Sequence, residues 1–386
     1  MKMALVGDPW PAKAGDYDIA NLADALVQRG HDVRLYTAGR VEGSSVPGYR
    51  VVQIPVAPAD GHLMPVIGDL GHFLHVDWGE SPPNAVHCFG WAYGLAAQLA
   101  AKRRPLPVVQ ALHRLADPGR RRGEQTSTRG TAAAKLEALL ARSATMVTAS
   151  CTDEIDDVIR MGCGRASVAV LPSGVDVDAF HAAGTAGSIV PPRTSRHRIV
   201  ALAQDFSEAS GFDRVVAALP ALPTAEVILL ADGDDHPHEV RGLVTTAARL
   251  GVADRTHVVA TTKAGDIAAW LRSADVAVCP APYDPDTRTV LQAMCSGIPV
   301  VAADSGGPRD AVVAEVTGLL VPAGDKVELS RALHAIVRQN VLREGMGMAG
   351  RTRARSRYSW ERIATDVEVV YRAAVQRHRR VSATSV

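Results

Sequence analysis

Between residues 276 and 310 the chain reads VAVCPAPYDPDTRTVLQAMCSGIPVVAADSGGPRD, a stretch whose residue types suit an anion. A short apolar run ending at Cys279 predicts a strand. After it come a loop rich in Pro and Asp, a helix starting near Thr289, a stop at Gly297 and a second strand. A loop that feeds a helix leaves backbone N–H groups without intrahelical partners and turns the positive end of the helix dipole outward, which suits a phosphate. Thr287, Arg288, Thr289 and Val290 stand at that junction, and Arg309 follows the Gly306-Gly307 turn. The competing reading is an ordinary strand-to-helix crossover, with Thr289 a simple cap and Arg288 a solvated loop residue.

The first half offers polar groups at loops that follow strands. Gly15 and Asp16 lie between the opening strand and the first helix, where Asp16 either meets a small ligand or caps the helix. His87 ends a strand ahead of Cys88, Phe89, Gly90 and Trp91; His87 and Trp91 line a ligand pocket, or His87 is a core histidine. His113 follows the next strand beside Arg114, and Arg120, Arg121 and Arg122 form a basic loop that is either a solvated surface or a lid over an anion. No His, Cys or carboxylate cluster has metal-ligand spacing, so no metal is expected.

Strand-like runs at residues 3–7, 33–37, 51–56, 85–88, 107–111, 145–149 and 168–171 alternate with helical patterns such as 19–29, which Gly30 terminates. After residues 182–197, rich in Gly, Ser, Thr and Pro, the alternation resumes at 198–203, 227–230, 257–260, 276–279, 299–302 and 319–321. This rhythm predicts an α/β chain of two doubly wound, Rossmann-like domains with ligands beyond the carboxyl ends of the strands. The expected organisation is an N-terminal Rossmann-like domain at 1–181, a linker at 182–197, a C-terminal Rossmann-like domain at 198–357 and, from 358, an amphipathic helix. That helix returns to the first domain and ends in a frayed tail from Arg377.

The 386 residues hold 42 Lys+Arg against 41 Asp+Glu, so whole-chain charge argues against nucleic acid or an anionic membrane and for a small-molecule partner. Five cysteines without CxxC spacing, no signal-peptide pattern and no apolar run of about eighteen residues predict a cytoplasmic protein without membrane insertion. The sequence leaves room for a homodimer.

The run from Asp284 to Gly307 resembles the signature of the retaining nucleotide-sugar glycosyltransferases of family 4, which have the GT-B fold. Ala293-Met-Cys-Ser-Gly297-Ile-Pro-Val-Val301 is intact. Arg29-Gly-His-Asp-Val33, Thr148-Ala-Ser-Cys-Thr-Asp-Glu154, Pro172-Ser-Gly-Val-Asp176 with Phe180, Leu271-Arg-Ser-Ala-Asp275, Val316-Thr-Gly-Leu-Leu-Val-Pro322 and Tyr358-Ser-Trp360 extend the likeness over nearly the whole chain, nearest to actinobacterial members in mycothiol-type and natural-product pathways. The resemblance implies donor contacts from Gly211, Gly233, Thr287, Thr289, Val290 and Gln292. It also implies a reach to the transferred sugar from His113, and acceptor contacts near Gly15. No bound metal or cofactor is implied.

The departures are equally specific. The family's two glutamates fall on Asp284, for the donor-sugar hydroxyls, and Gln292, for the ribose diol; loss of the second charge costs about 1 to 2 kcal/mol of binding. The family's Arg and Lys that clamp the diphosphate fall on Asp205 and Ser210, ahead of Gly211. Without cations at the leaving group, transfer slows by several orders of magnitude unless others substitute; Arg288 is the first substitute and Arg309 the second. The function expected is transfer of a sugar from a UDP- or GDP-linked donor to a small acceptor, retaining and metal-independent, in aminoglycoside- or lincosamide-type natural-product biosynthesis. Two alternatives stay open, a non-catalytic GT-B protein that binds a nucleotide-sugar or a partner enzyme, and a GT-B epimerase. A dehydrogenase is excluded, because no GxGxxG follows residues 3–7.

Overall fold

The computed structural model describes residues 1–8, 18–38, 48–56, 63–113, 115, 128–182, 189–231, 237–261 and 264–384. The chain divides into two units, one holding the described residues up to Pro172 together with those from Trp360 onward, the other Ser173–Ser359.

In the first unit the order is β1 (Lys2–Val6), α1 (Ile19–Gln28), β2 (Asp32–Thr37), β3 (Arg50–Gln53), α2 (Ile67–Glu80), β4 (Ala85–Phe89), α3 (Trp91–Arg103), β5 (Val108–Leu112), α4 (Thr128–Ser143), β6 (Met146–Ala149), α5 (Ile155–Arg160) and β7 (Val168–Val170). All seven strands pair in parallel in the order β3-β2-β1-β4-β5-β6-β7. Alternate residues of β1 take opposite faces, as a period of two requires. Met3 and Leu5 join a core with α1, and Ala4 and Val6 join one with α2 and α3. Asp18 caps α1 by accepting from the Asn21 backbone N–H at 3.0 Å, and Gly30 follows the helix with φ +83°.

The second unit runs β8 (His197–Leu202), α6 (Phe212–Ala218), β9 (Ala225–Ala231), α7 (Pro237–Arg249), β10 (Thr256–Ala260), α8 (Ala264–Arg272), β11 (Val276–Cys279), α9 (Arg288–Cys295), β12 (Val300–Ala303), α10 (Gly306–Ala311), β13 (Gly318–Val321), α11 (Lys326–Arg338) and α12 (Asn340–Tyr358). Its six parallel strands lie in the order β10-β9-β8-β11-β12-β13. Ile199 and Ala201 of β8 pack with α6, α7 and α11, while Val200 and Leu202 pack with α8 and α9. Chain order reverses between β1 and β4 in the first sheet and between β8 and β11 in the second, and such switch points open a crevice at the carboxyl ends of the strands.

Two boundaries differ from the sequence expectation. Residues 173–181 belong to the second unit, because Val175 donates its N–H to the Tyr358 carbonyl at 2.8 Å and Phe180 is buried in that unit's core. The end of the expected linker is pinned rather than loose. Arg193 pairs with Asp275 at 2.7 Å, the Thr194 N–H donates to Glu226 at 2.9 Å, and His197 already belongs to β8. The C-terminal tail differs as well, since α13 (Trp360–Thr384) continues past Arg377, whose guanidinium donates to the Ala166 carbonyl at 3.1 Å. No Gly or Pro interrupts residues 360–384 to stop the helix. Ile363, Val367, Val370 and Tyr371 of α13 pack into the core that β1 and α1 share. Glu368, 4% exposed, holds the helix there by accepting from Arg29 at 2.5 Å and contacting His31 at 2.9 Å, partners that draw its pKa down to about 2.

Candidate donor site

At the carboxyl edge of the second sheet three loops are stitched together, those that follow β8, β11 and β12. Gln204 donates to the Asp284 carboxylate at 3.1 Å, joining the first two. The Gly307 N–H donates to the Asp284 carbonyl at 2.8 Å and the Ser305 hydroxyl to the Pro282 carbonyl at 2.6 Å, joining the second and third. The glycines make this approach possible. A Cβ at Gly306, where φ is +57°, would lie 2.2 Å from the Asp284 carbonyl oxygen, and one at Gly307 would lie 2.6 Å from that of Asp286.

Within this edge Asp284, Thr287, Arg288, Thr289, Val290 and Gln292 are brought together on the β11–α9 loop and the α9 helix. Thr287, not Thr289, occupies the N-cap of α9, and its side chain makes no capping bond; its hydroxyl is buried without a hydrogen-bond partner. The Arg288 N–H donates to Asp286 at 2.9 Å and its guanidinium pairs with the same carboxylate at 3.2 Å, so its charge is shared within the loop. Thr289 lies beside the Cys279 thiol, which burial pushes up to about 12. Val290 and Gln292 are buried.

Arg309 is not drawn into the cradle, because its guanidinium binds the Asp304 carboxylate at 2.8 Å where both side chains are half exposed. The two positions of the expected clamp are joined to each other. Asp205 accepts from the Ser210 hydroxyl at 2.8 Å and from the Ser207 N–H at 2.9 Å, forming a closed turn ahead of Gly211, where φ is +75°. Gly233, Gly15, Asp16, Arg114 and Arg120–Arg122 lie outside the described residues.

In the first unit the carboxyl ends of β4 and β5 carry a different chemistry. His87 is 1% exposed, with its Nδ1 2.9 Å from the Tyr371 hydroxyl and its ring 4.2 Å from that of Phe89. Burial first, and His113 second, push its pKa well below the ordinary histidine value. Phe89 and Tyr371 flank the ring, and its Nε2 is buried with no hydrogen-bond partner among the described residues. His113, half-buried just beyond β5, has its ring 6.3 Å from Phe89, and Trp91 opens α3 half-buried against the apolar cluster of α2 and α3. Asp8, just beyond β1, escaped the sequence reading; it accepts from Tyr93 at 2.6 Å and Thr37 at 2.9 Å. The signal available was its place immediately after the opening strand. Among the described residues no group of three or more His, Cys, Asp or Glu could hold a metal ion, and no helix is long and apolar enough to cross a membrane. No disulfide joins the five cysteines, all of them buried.

Two doubly wound parallel sheets of this topology, with a glycine-lined loop and helix terminus at the switch point of the second, have the GT-B fold. Residues 17–174 match the glycosyl transferase 4-like domain and residues 191–353 the glycosyl transferases group 1 domain, so the chain belongs to the group 1 glycosyltransferases. It is 28% identical to a D-inositol 3-phosphate glycosyltransferase of Xylanimonas cellulosilytica over 93% of this chain and 91% of the relative. It is likewise 28% identical to one of Streptomyces avermitilis, over 94% and 83%. Among solved structures, sucrose-phosphate synthase of Thermosynechococcus elongatus shares the fold with a TM-score of 0.77 and 22% identity over 96% of this chain and 98% of that one. HepE of Anabaena, solved in complex with UDP and glucose, has a TM-score of 0.73 and 19% identity over 95% and 98%.

Proposed function

We propose that the chain moves a sugar from a UDP- or GDP-linked donor, held by the second unit, to a small hydroxylated acceptor taken up by the first. The observation that carries this reading is the α9 terminus. An N-cap Thr287 that makes no capping bond, its buried unpartnered hydroxyl and two glycines meet at the switch point, and the α9 backbone N–H groups beyond that of Arg288, which Asp286 accepts, suit a diphosphate. Asp284, oriented by Gln204, is assigned to the donor-sugar hydroxyls. Gln292 is assigned to the ribose, Arg288 to the departing phosphate, and His113 to the transferred sugar. The relatives' names favour a cyclic polyol or its phosphate as acceptor over an antibiotic core. Retention and independence of a metal follow the family resemblance.

Titration with nucleoside diphosphates tests the donor half: UDP or GDP binds in the micromolar to low-millimolar range, with chelator making no difference. Absence of binding by either nucleotide sinks the reading. One observation favours a second reading, a binder that does not transfer, namely the closed Asp205–Ser210 turn where the clamp is expected. Release of free UDP or GDP from its sugar conjugate in the presence of inositol phosphates separates the two.

A further inference from the structure

Asp205 and Ser210 are bonded to each other, so neither supplies positive charge to the corner where β8 leads into α6. The charge there comes from Arg214, one turn into α6, whose N–H donates to the Gly211 carbonyl at 3.1 Å. Its guanidinium folds back over Gly211. A Cβ at that glycine would lie 2.6 Å from Nη1 of Arg214 and 2.5 Å from the carbonyl oxygen of Pro280, the residue that follows β11. Arg214 therefore sits between the ends of β8 and β11, at the switch point of the sheet.

Its Nε and Nη1 are buried and have no hydrogen-bond partner among the described residues. Among the described residues, acids of the same loops are engaged elsewhere: Asp205 with Ser207 and Ser210, Asp213 with Lys326 at 3.2 Å, and Asp284 with Gln204. A guanidinium stays charged in a protein, and buried donors without acceptors are costly, so a native fold retains such a group where something outside the chain completes it. The complement is an anion with several oxygens in one place, which a diphosphate supplies.

We propose that Arg214 binds the diphosphate of the donor, replacing from α6 the two cations missing at residues 205 and 210. This rests on the donor reading given above and names a residue for it. Loss of Arg214 weakens the diphosphate and leaves the nucleoside unaffected.

The test is calorimetric titration of the intact chain and of Arg214→Gln with UDP, GDP, uridine, guanosine and inorganic pyrophosphate. Affinity of the variant for the preferred diphosphate and for pyrophosphate falls by about tenfold or more, and affinity for the matching nucleoside is unchanged. Equal diphosphate affinity in the folded variant overturns the assignment of Arg214 while sparing the donor site, as does a parallel fall for nucleoside and diphosphate. Absence of diphosphate binding by the unaltered chain overturns the donor reading itself. Should Arg214→Gln fail to fold, Arg214→Lys takes its place. A lysine lacks the forked donor pair, so a loss of about threefold or more is expected, and unchanged affinity overturns the proposal.

Discussion

At the amino end of β8, Arg198 is 2% exposed and meets Glu226 of the neighbouring β9 at 2.7 Å; at the carboxyl end, just beyond the same strand, Arg214 keeps two buried donors without acceptors. The first arginine is paired, its Nε with Glu226 and its Nη2 with the Pro191 carbonyl. Glu226 also accepts from the Thr194 N–H, and the Arg198 guanidinium lies 6.0 Å from the centre of the Trp270 ring. One edge of the sheet is thus closed upon itself, while the other leaves charge to be completed from outside. Arginine alone carries no message; the presence or absence of an acid in register beside it separates a group that holds the fold from one that recognises a ligand.

The comparison breaks most visibly at the closed edge. Glu226→Gln strands a buried guanidinium and lowers stability by about 3–5 kcal/mol in urea unfolding, while the folded fraction keeps its nucleotide affinity. Burial pushes the Glu226 carboxyl up, but the hydrogen bonds from Thr194 and Arg198 outweigh it and hold the group below its ordinary 4.5. A depressed folded pKa means that this contribution is complete above about pH 4.5 and disappears as pH falls through the folded value, so the variant has a flatter acid limb. Urea melts of both proteins between pH 3 and 6 measure it, and parallel limbs contradict the pairing.

At the open edge Gly211→Ala forces a Cβ into a left-handed backbone against Pro280 and displaces Arg214. The expected loss is about 2 kcal/mol of stability together with weaker diphosphate binding. A melt and a titration on the same sample check this, and retained affinity would show that the guanidinium is not needed where it lies. Gln292→Glu restores a charge for the ribose and tightens nucleoside binding by about 1 to 2 kcal/mol, with little change in the melt. If the nucleoside binds no better, Gln292 does not face it.

The strands were legible because β-branched runs of four to seven residues, bounded by Gly, Pro and Asp, have few other uses. The Ala293–Val301 signature placed the α9 loop correctly for the same local reason. What escaped depends on partners distant in sequence. Residues 191–197 have a linker's composition, yet Asp275 and Glu226, 82 and 32 residues further along from Arg193 and Thr194, pin them. His87 read as either a pocket or a core histidine, and the contact that bears on the choice, with Tyr371, lies 284 positions away. Arg214 was not singled out in the sequence; its local clue is the glycine three residues earlier, over which a long side chain can fold. The frayed tail was misjudged because Ala166, its anchor, leaves no trace in the local pattern.

The chain leaves its first unit at Pro172 and re-enters it at Trp360. Synthesis runs from the N-terminus, so the earlier-made sheet waits for Ile363, Val367 and Tyr371 to cover Met3, Leu5 and α1, while the later-made unit already has all of its sequence. The part that emerges from the ribosome first is therefore completed last. A chain halted before Trp360 would carry one finished unit and one with an uncovered apolar face, a target for chaperones.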